Sequence, residues 1–472
     1  MKNSIFMIFL LMTGILLRGE VYDLKKAIST ALANNETVQS AEKELEKSEY
    51  VYNEAFSGAL PKVEANLTYL RNLYSSKITN MEYYLSAMSN GIAGLNNTIL
   101  DYHPDSGLPE MTFTEMPDED TEAMSDNTIK AELSLIQPIW LGGKVGTALE
   151  IAVIFKDLNT KAYELEKNKV VTEIKKNFYQ ILVLKETQRV MNLVRSDAYK
   201  NLEKVEKLFA EGLVSEYDMI QARVRVKSVE PKITSINNYL DLAKEYMRIN
   251  MGLPGDGDFD VSGELTETAF PDTADIDRKA LESRAELQLL ECQRQLYEKN
   301  VTIEFSNHLP NILGLANYTF QSQTNDLGDT FEKNCGVGTF NVGVTANIPI
   351  FNGFGTKAKV DQAKVDEKKA ALNVQKTSRL IKLQVRDALS KLNLAKEELV
   401  LRDNEISEYE KALQITQVRY DNGLCTQLEL TGAQTSLETA RLNKVTTLQN
   451  YIDAMIDLEA AVGIISTDEF KN

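Results

Sequence analysis

The sequence predicts a mainly α-helical chain with a membrane β component, built from one unit used twice. Three observations carry this. First, Pro138 and Pro349, Gly142 and Gly353, Gly212 and Gly423, and Gly252 and Gly463 are each 211 residues apart, the mark of a duplicated supersecondary unit. Second, four runs alternate between apolar and polar residues at the length of a tilted membrane-spanning strand. Third, each of these strand pairs is followed by a proline-free stretch, Lys144 to Glu211 and Gly355 to Asn422, which at 1.5 Å per residue makes a helix of roughly 100 Å.

In chain order, residues 1–19 read as a secretory signal. Lys2 precedes an apolar run, Ile5 to Leu17, and the small residue Gly19 follows, a pattern too short for a membrane helix. The first repeat is expected over residues 20–252 and opens with a helix from Val21 to Ser57, where Leu24, Ala27, Ile28, Ala31 and Leu32 recur at three- and four-residue steps. Leu60-Pro61 ends it and the period changes to two: Val63, Ala65, Leu67 and Tyr69 alternate with Lys62, Glu64, Asn66 and Thr68. A second strand carries Ile129, Ala131, Leu133 and Leu135. Between them, residues 75–127 form an acidic loop, expected on the outer side of the membrane, with no Lys or Arg between Lys77 and Lys130. Loops of that length are functional or disordered. Its methionines (Met81, Met88, Met111, Met116, Met124) have no second ligand type clustered with them, so they do not define a soft-metal site.

Residues 253–275 form a Gly/Pro/Asp-rich linker, and the second repeat runs over 276–463 with a short tail at 464–472. It repeats the order: a helix from Ile276 to Ser306, a strand around Ile312 to Phe320, a strand around Phe340 to Ile348, and the second long helix. In that helix Val385, Leu392, Leu399, Ile406, Leu413 and Tyr420 recur every seven residues, a coiled-coil seam, with Ala388 and Ala395 allowing close approach. The first-copy equivalents are Ile174, Ile181, Gln188, Arg195, Leu202 and Phe209, a seam broken by polar residues. Each long helix ends in a glycine suited to the left-handed stop position, Gly212 or Gly423. Ser215-x-x-Asp218 and Thr426-x-x-Glu429 then resemble capping boxes that start a return helix. The return helices are about half as long as the descending ones. Matching lengths suggests that the first is continued by residues 276–306 and the second by the N-terminal helix.

At 472 residues and net charge −17, the chain lacks the electrostatic footprint of nucleic-acid binding. Cys292, Cys335 and Cys425 are odd in number and scattered, so neither a disulfide framework nor a metal site is expected. His103 and His308 stand in separate contexts, and no phosphate loop or nucleophile constellation is present. No catalytic, cofactor-binding or metal-binding residue is therefore assigned, and no enzyme activity is expected.

Four strands cannot close a barrel, and no strand edge can stay unpaired in lipid. Two, three or four chains supply about 8, 12 or 16 strands, all allowed even counts. Three also set twelve helices around the axis of a twelve-stranded barrel. The product is a tube open through a membrane: a conduit.

The duplicated strand–strand–long-helix–hairpin unit resembles the TolC-type outer-membrane efflux channels. So do the Pro-Ile-aromatic-x-Gly turns at Pro138–Gly142 and Pro349–Gly353, and the Tyr-x-x-Gly-x-x-Thr tip at Tyr420, Gly423 and Thr426. The resemblance spans nearly the whole mature chain in order. It implies a homotrimer with a twelve-stranded barrel in outer-membrane lipid and an α-helical tunnel across the periplasm. The partners implied are a periplasmic adaptor and an inner-membrane transporter, in a tripartite efflux or type I secretion system. It also implies that the second hairpin is the inner, gating pair at the tip. Tyr420 would contact Asp218 of the neighbouring outer pair, and Glu429 would form an acidic ring. The second acidic position of the family falls on Gly432, its gate arginine on Cys425 and an outer-pair threonine on Tyr217. Beside this, Asp218 and Glu429 also read simply as capping carboxylates. The rival architectures are a trimeric surface adhesin, whose strands belong in one C-terminal block, and a coiled-coil envelope spacer without transport function.

Overall fold

The computed structural model describes residues 20–73, 126–255, 257, 259–265, 275–324 and 336–464. The expected signal segment, nearly all of the acidic loop, Cys335, His103 and all but the first residue of the tail lie outside them. The elements in order are β1 (Glu20–Tyr22), α1 (Leu24–Asn34), α2 (Glu36–Ser57), β2 (Lys62–Arg71), β3 (Asn127–Trp140), α3 (Lys144–Ala210) and α4 (Glu216–Asn250). Then come β4 (Phe259–Val261), α5 (Ile276–Ser283), α6 (Ala285–Ser306), β5 (Asn311–Thr324), β6 (Gly336–Asn347), α7 (Gly355–Asp421) and α8 (Gln427–Val462). They fall into a sheet unit, Ala55–Gly146 with Phe305–Thr356, and a helical unit, Met1–Glu54, Thr147–Glu304 and Lys357–Asn472.

The sheet unit is one antiparallel sheet in the order β2-β3-β5-β6. Its register converts the alternation of single strands into alternating rows. Ala65, Leu133, Tyr318 and Phe340 lie in one row across all four strands, and Val63, Leu135, Ala316 and Val342 in the row two residues on. Between them runs Glu64, Ser134, Asn317 and Asn341, and on the other side Asn66, Glu132, Thr319 and Thr339. Side chains alternate faces along a strand, so one face is apolar and the other polar. On the polar face Asn317 Nδ2 donates to Glu132 Oε1 at 3.1 Å. The apolar face is not covered: Val63, Leu67, Leu133, Tyr318, Phe340, Val342 and Val344 are all exposed.

Pro138 lies within β3, opposite Leu313, beside a register shift between Pro138 and Trp140. This differs from its expected place in the strand-to-helix turn. A proline cannot donate to the ladder, and a bulge is where a sheet tolerates that loss. The turn itself comes later, at Gly142 and Gly143 with φ 63° and 84°. A Cβ on Gly142 would stand 2.9 Å from both Leu309 Cβ and Ser306 O, so glycine is needed there for space as well as conformation. In the second copy Pro349 follows the end of β6, and the equivalent turn has Gly353 and Phe354 at φ 65° and 64°.

The helical unit corrects three expectations. Besides the four long strands there is a parallel two-stranded sheet of β1 and β4, so the described residues hold six strands, and the linker contributes one. The expected single helices at both repeat starts are each broken by one residue, Asn35 and Arg284, 249 positions apart and both in extended conformation. Asn35 Oδ1 accepts from the backbone N–H of Thr37 at 2.9 Å and starts α2. One extended residue does not disturb an apolar period, which is why the period ran through both breaks.

The third correction concerns which helix continues which. The C-terminal end of α4 meets the start of α2: Asn35 Nδ2 donates to Asn250 O at 2.9 Å. The end of α8 meets the start of α6: Arg284 Nη1 donates to Ala460 O at 3.2 Å and Ala461 O at 3.1 Å. Each return helix is therefore continued by the opening helix of its own repeat, the reverse of the length-matched pairing. Helices α2 and α6 are both 22 residues long, so length did not discriminate. Two cores flank these joints. One gathers Ile28, Ala31, Ile174, Phe178, Ile181, Met247 and Met251 with Tyr22 and Phe259, whose rings meet edge to face at 5.7 Å. The other gathers Val385, Leu392 and Leu399 of the seam with Ile381, Tyr451, Ile452, Ile456 and Leu458. Each fully buried aliphatic or aromatic side chain contributes about 1.5–3 kcal/mol.

Candidate functional site

The hairpin tips follow from local chemistry. At the end of α3 the N–H of Leu213 donates to Leu208 O at 2.8 Å and that of Gly212 to Phe209 O at 3.0 Å. At the end of α7 the N–H of Leu424 donates to Arg419 O at 2.8 Å and that of Gly423 to Tyr420 O at 3.0 Å. Both are Schellman turns, with glycine at φ 73° and 69°. Both return helices start with a complete capping box. Asp218 N–H donates to Ser215 Oγ at 3.2 Å and Ser215 N–H to Asp218 Oδ2 at 3.2 Å. Glu429 N–H donates to Thr426 Oγ1 at 3.2 Å and Thr426 N–H to Glu429 Oε2 at 2.8 Å. The capping reading of these carboxylates therefore holds in full.

The structure does not join Tyr420 to Asp218 by a hydrogen bond. Asp218 is engaged with Ser215, its Oδ2 accepting from the hydroxyl at 2.6 Å. The Tyr420 hydroxyl is buried and has no hydrogen-bond partner among the described residues of its own chain. Burial, and after it the negative charge of Asp218, pushes the Tyr420 phenol above its ordinary value. A buried hydroxyl left unpaired costs about 1–3 kcal/mol. Glu429 and Gly432 are exposed on α8, and a Cβ at Gly432 would meet open space. Cys425 is a free, half-buried thiol whose Sγ donates to Thr416 O at 3.4 Å. The exposed Tyr217 accepts from Gln221 Nε2 at 2.6 Å.

The sequence reading missed a set of ion pairs that tie one hairpin to the other. Lys204 of α3 pairs with Asp421 of α7, and its ammonium lies 5.8 Å from the centre of the Tyr420 ring. The Lys204 hydrogen bond holds the Asp421 carboxyl below its ordinary range. Farther from the tip, Glu438 of α8 accepts from Arg225 and Lys232 of α4. The one signal for Glu438 was that it ends a charge-free stretch, Leu430 to Leu437, beginning on a buried leucine.

Seams also differ between the hairpins. In α7 Val385, Ala388, Leu392, Ala395 and Leu399 are buried as expected. In α3 the heptad passes through Ile174 and Ile181, and toward the tip it is carried three residues on, by Met191, Ala198 and Val205. The polar Gln188 and Arg195 stay on the margin: Gln188 Nε2 donates to Asn237 Oδ1 at 2.7 Å and Arg195 pairs with Glu230 at 3.8 Å.

A family model described as "Outer membrane efflux protein" matches residues 27–246 and 278–464. Outer membrane protein TolC of Escherichia coli K12 is 21% identical over 360 residues, covering 74% of this chain and 72% of that protein. TolC of Vibrio cholerae is 19% identical over 314 residues, covering 65% and 70%. Among solved structures, the CmeC outer membrane channel of Campylobacter jejuni superposes with a TM-score of 0.73 at 18% identity, covering 93% of this chain and 85% of that one. CusC superposes with a TM-score of 0.72 at 16% identity, covering 94% of each. Its duplicated strands, hairpins and tips thus carry the same fold, and the chain belongs to the outer membrane efflux protein family.

Proposed function

We propose that three copies of this chain assemble into the exit duct of a tripartite efflux or type I secretion system, gated at the hairpin tips. Membership of the family makes the protein an efflux duct of the outer membrane that extends into the periplasm. The observation that carries the trimer is the open sheet. Among the described residues β2 and β6 have no further strand beside them, and the face they share is apolar and uncovered. Lipid leaves no backbone edge unpaired, so β6 of one copy pairs with β2 of the next, and three copies close about twelve strands. Trp140, Phe351 and Phe354, all exposed next to strand ends, suit the aromatic girdle of such a barrel. Among the described residues no helix is long and apolar enough to cross a membrane. A second uncovered stripe supports the assembly: Leu372, Leu394, Leu401 and Ile415 of α7 are exposed. They suit a neighbouring copy.

Within this assembly Tyr420, Glu429, Gly423 and Thr426 line the inner tip, and Asp218, Ser215 and Gly212 belong to the outer one. Gly142, Pro349 and Gly353 sit where each copy changes from strand to helix, and Pro138 stands just before that change, at the irregularity in β3. The exposed Leu213 and Leu424 at the tips would meet a periplasmic adaptor, and through it an inner-membrane transporter. The test is electrophoresis of outer-membrane fractions without boiling, together with conductance in planar bilayers. A heat-modifiable three-chain species that conducts is expected. A monomer found in the periplasmic fraction would sink the proposal. For the partner, a photo-crosslinker at Leu424 should capture the adaptor and one at the buried Leu458 should not.

A further inference from the structure

Among the described residues a single carboxylate is deeply buried, Glu438 on α8 at 4% exposure. Lys232 Nζ donates to its Oε1 at 2.9 Å and Arg225 Nη2 donates to its Oε2. Both cations lie on α4, seven residues and so about 10 Å apart along the helix. The carboxylate of one hairpin is therefore gripped at two levels by the return helix of the other. Burial alone would raise the Glu438 carboxyl, but the hydrogen bonds from Lys232 and Arg225 outweigh it and hold it below its ordinary value. Beside the clamp lies a cavity of about 270 Å³ between the hairpins, lined among others by Asn201, Lys204, Gln417, Leu437 and Glu438. It leaves unfilled space between the hairpins beside the clamp.

Such a triad is a poor source of net stability, because desolvating the charges costs about as much as their attraction returns. Its best-attested use is to specify register, since any other alignment strands a buried charge. We infer that Glu438, with Arg225 and Lys232, is a register lock that holds the second hairpin against the first in the closed tip, and that opening requires its release. The lock stands nine residues, about 13 Å, along α8 from the Glu429 cap, so part of the closure is set inside the helical wall and not at the tip itself. Lys204 and Asp421 form the second anchor, on the other two helices of the same hairpins. This inference rests on the duct reading.

The experiment uses the purified full-length protein in planar bilayers, with vancomycin sensitivity of cells as a second readout. Wild type should conduct with a small open fraction. Glu438→Gln should raise that fraction about tenfold, the size of an ordinary coupling between two states. Lys232→Met, which removes the more exposed cation, should raise it less. The double variant Arg225→Met/Glu438→Met should assemble into trimers at least as heat-resistant as wild type and still leak. That outcome separates a lock from a mere prop. An assembled Glu438→Gln or double variant with the wild-type open fraction would overturn the lock. So would failure of both to assemble, because Glu438 would then be needed for folding alone. No conductance from wild type would sink the duct reading, and the lock with it.

Discussion

At equivalent places in the two repeats, two helix ends are joined by different side chains over the same backbone. In the first, Asn35 donates one hydrogen bond to Asn250 O. In the second, Arg284 donates to the carbonyls of Ala460 and Ala461, and also to Glu286 and Gln384. The glycine that follows each return helix is common to both, with Gly252 at φ 64° and Gly463 at φ 75°. The space around them is not the same. A Cβ on Gly252 would lie 2.4 Å from Asn34 O, whereas on Gly463 it would lie 3.2 Å from Ser283 O. The joint needs a left-handed residue without a side chain, and a donor that reaches the last carbonyls of the helix. Which donor is free to vary, because a carbonyl accepts from an amide or a guanidinium alike.

Several substitutions break or sharpen this comparison. The largest effect belongs to Gly252→Ala, where left-handed strain adds to a backbone collision; it should cost about 3 kcal/mol or more. Gly463→Ala should cost only about 1–2 kcal/mol. Thermal denaturation of the detergent-solubilised protein ranks them, and equal losses would deny that the first joint is the tighter one. Arg284→Met strips a charged donor from two carbonyls and should cost about 2–3 kcal/mol. Asn35→Ala, which removes a cap and one joint bond, should cost about 1–2 kcal/mol. Tyr420→Phe makes the second tip like the first, which has Phe209 at the equivalent position. It should raise the open fraction in bilayers a few-fold, and a tip no leakier than wild type would deny Tyr420 a partner in the assembly. Glu429→Gln should lower cation preference in the same recordings, because a ring of carboxylates favours cations. Asp218→Asn, its first-copy equivalent, should leave it unchanged.

The smallest effect is that of pH on the lock. The Glu438 carboxyl is held below its ordinary 4.5 in the folded protein, so its contribution is complete above that value and is lost as pH falls through the lowered one. The open fraction should be flat from pH 8 to pH 5 and rise only in more acid buffer. In Glu438→Gln that acid component should vanish.

Most of the architecture was legible because its signals are local and repeated. The 211-residue offset placed both tips, and each long helix ends within one residue of its expected stop. Capping boxes could be read because Ser215 and Asp218, or Thr426 and Glu429, recognise each other within one turn. What failed depends on contacts far apart in sequence. The pairing of short helices is decided by Asn35 against Asn250 and Arg284 against Ala461, and no periodicity contains that information. The short strand in the linker exists because Phe259 and Val261 pack into a core made by Tyr22, Phe178 and Met247. Glu438 reads as an ordinary surface acid until the cations of α4, more than 200 residues earlier, are placed beside it.

The polar face of the sheet has a consequence for passage. Its described charges are Lys62, Glu64, Lys130 and Glu132, two of each sign, set among Asn66, Thr68, Ser134, Asn317, Thr319 and Asn341. The face turns apolar toward Pro138, where Ile136, Leu313 and Leu315 share it, but within a closed barrel its described charges balance, so the wall neither concentrates nor repels a solute by its charge. On the gating proposed above, resistance and choice then reside at the tips and the hairpin contacts, and the barrel serves as their mouth.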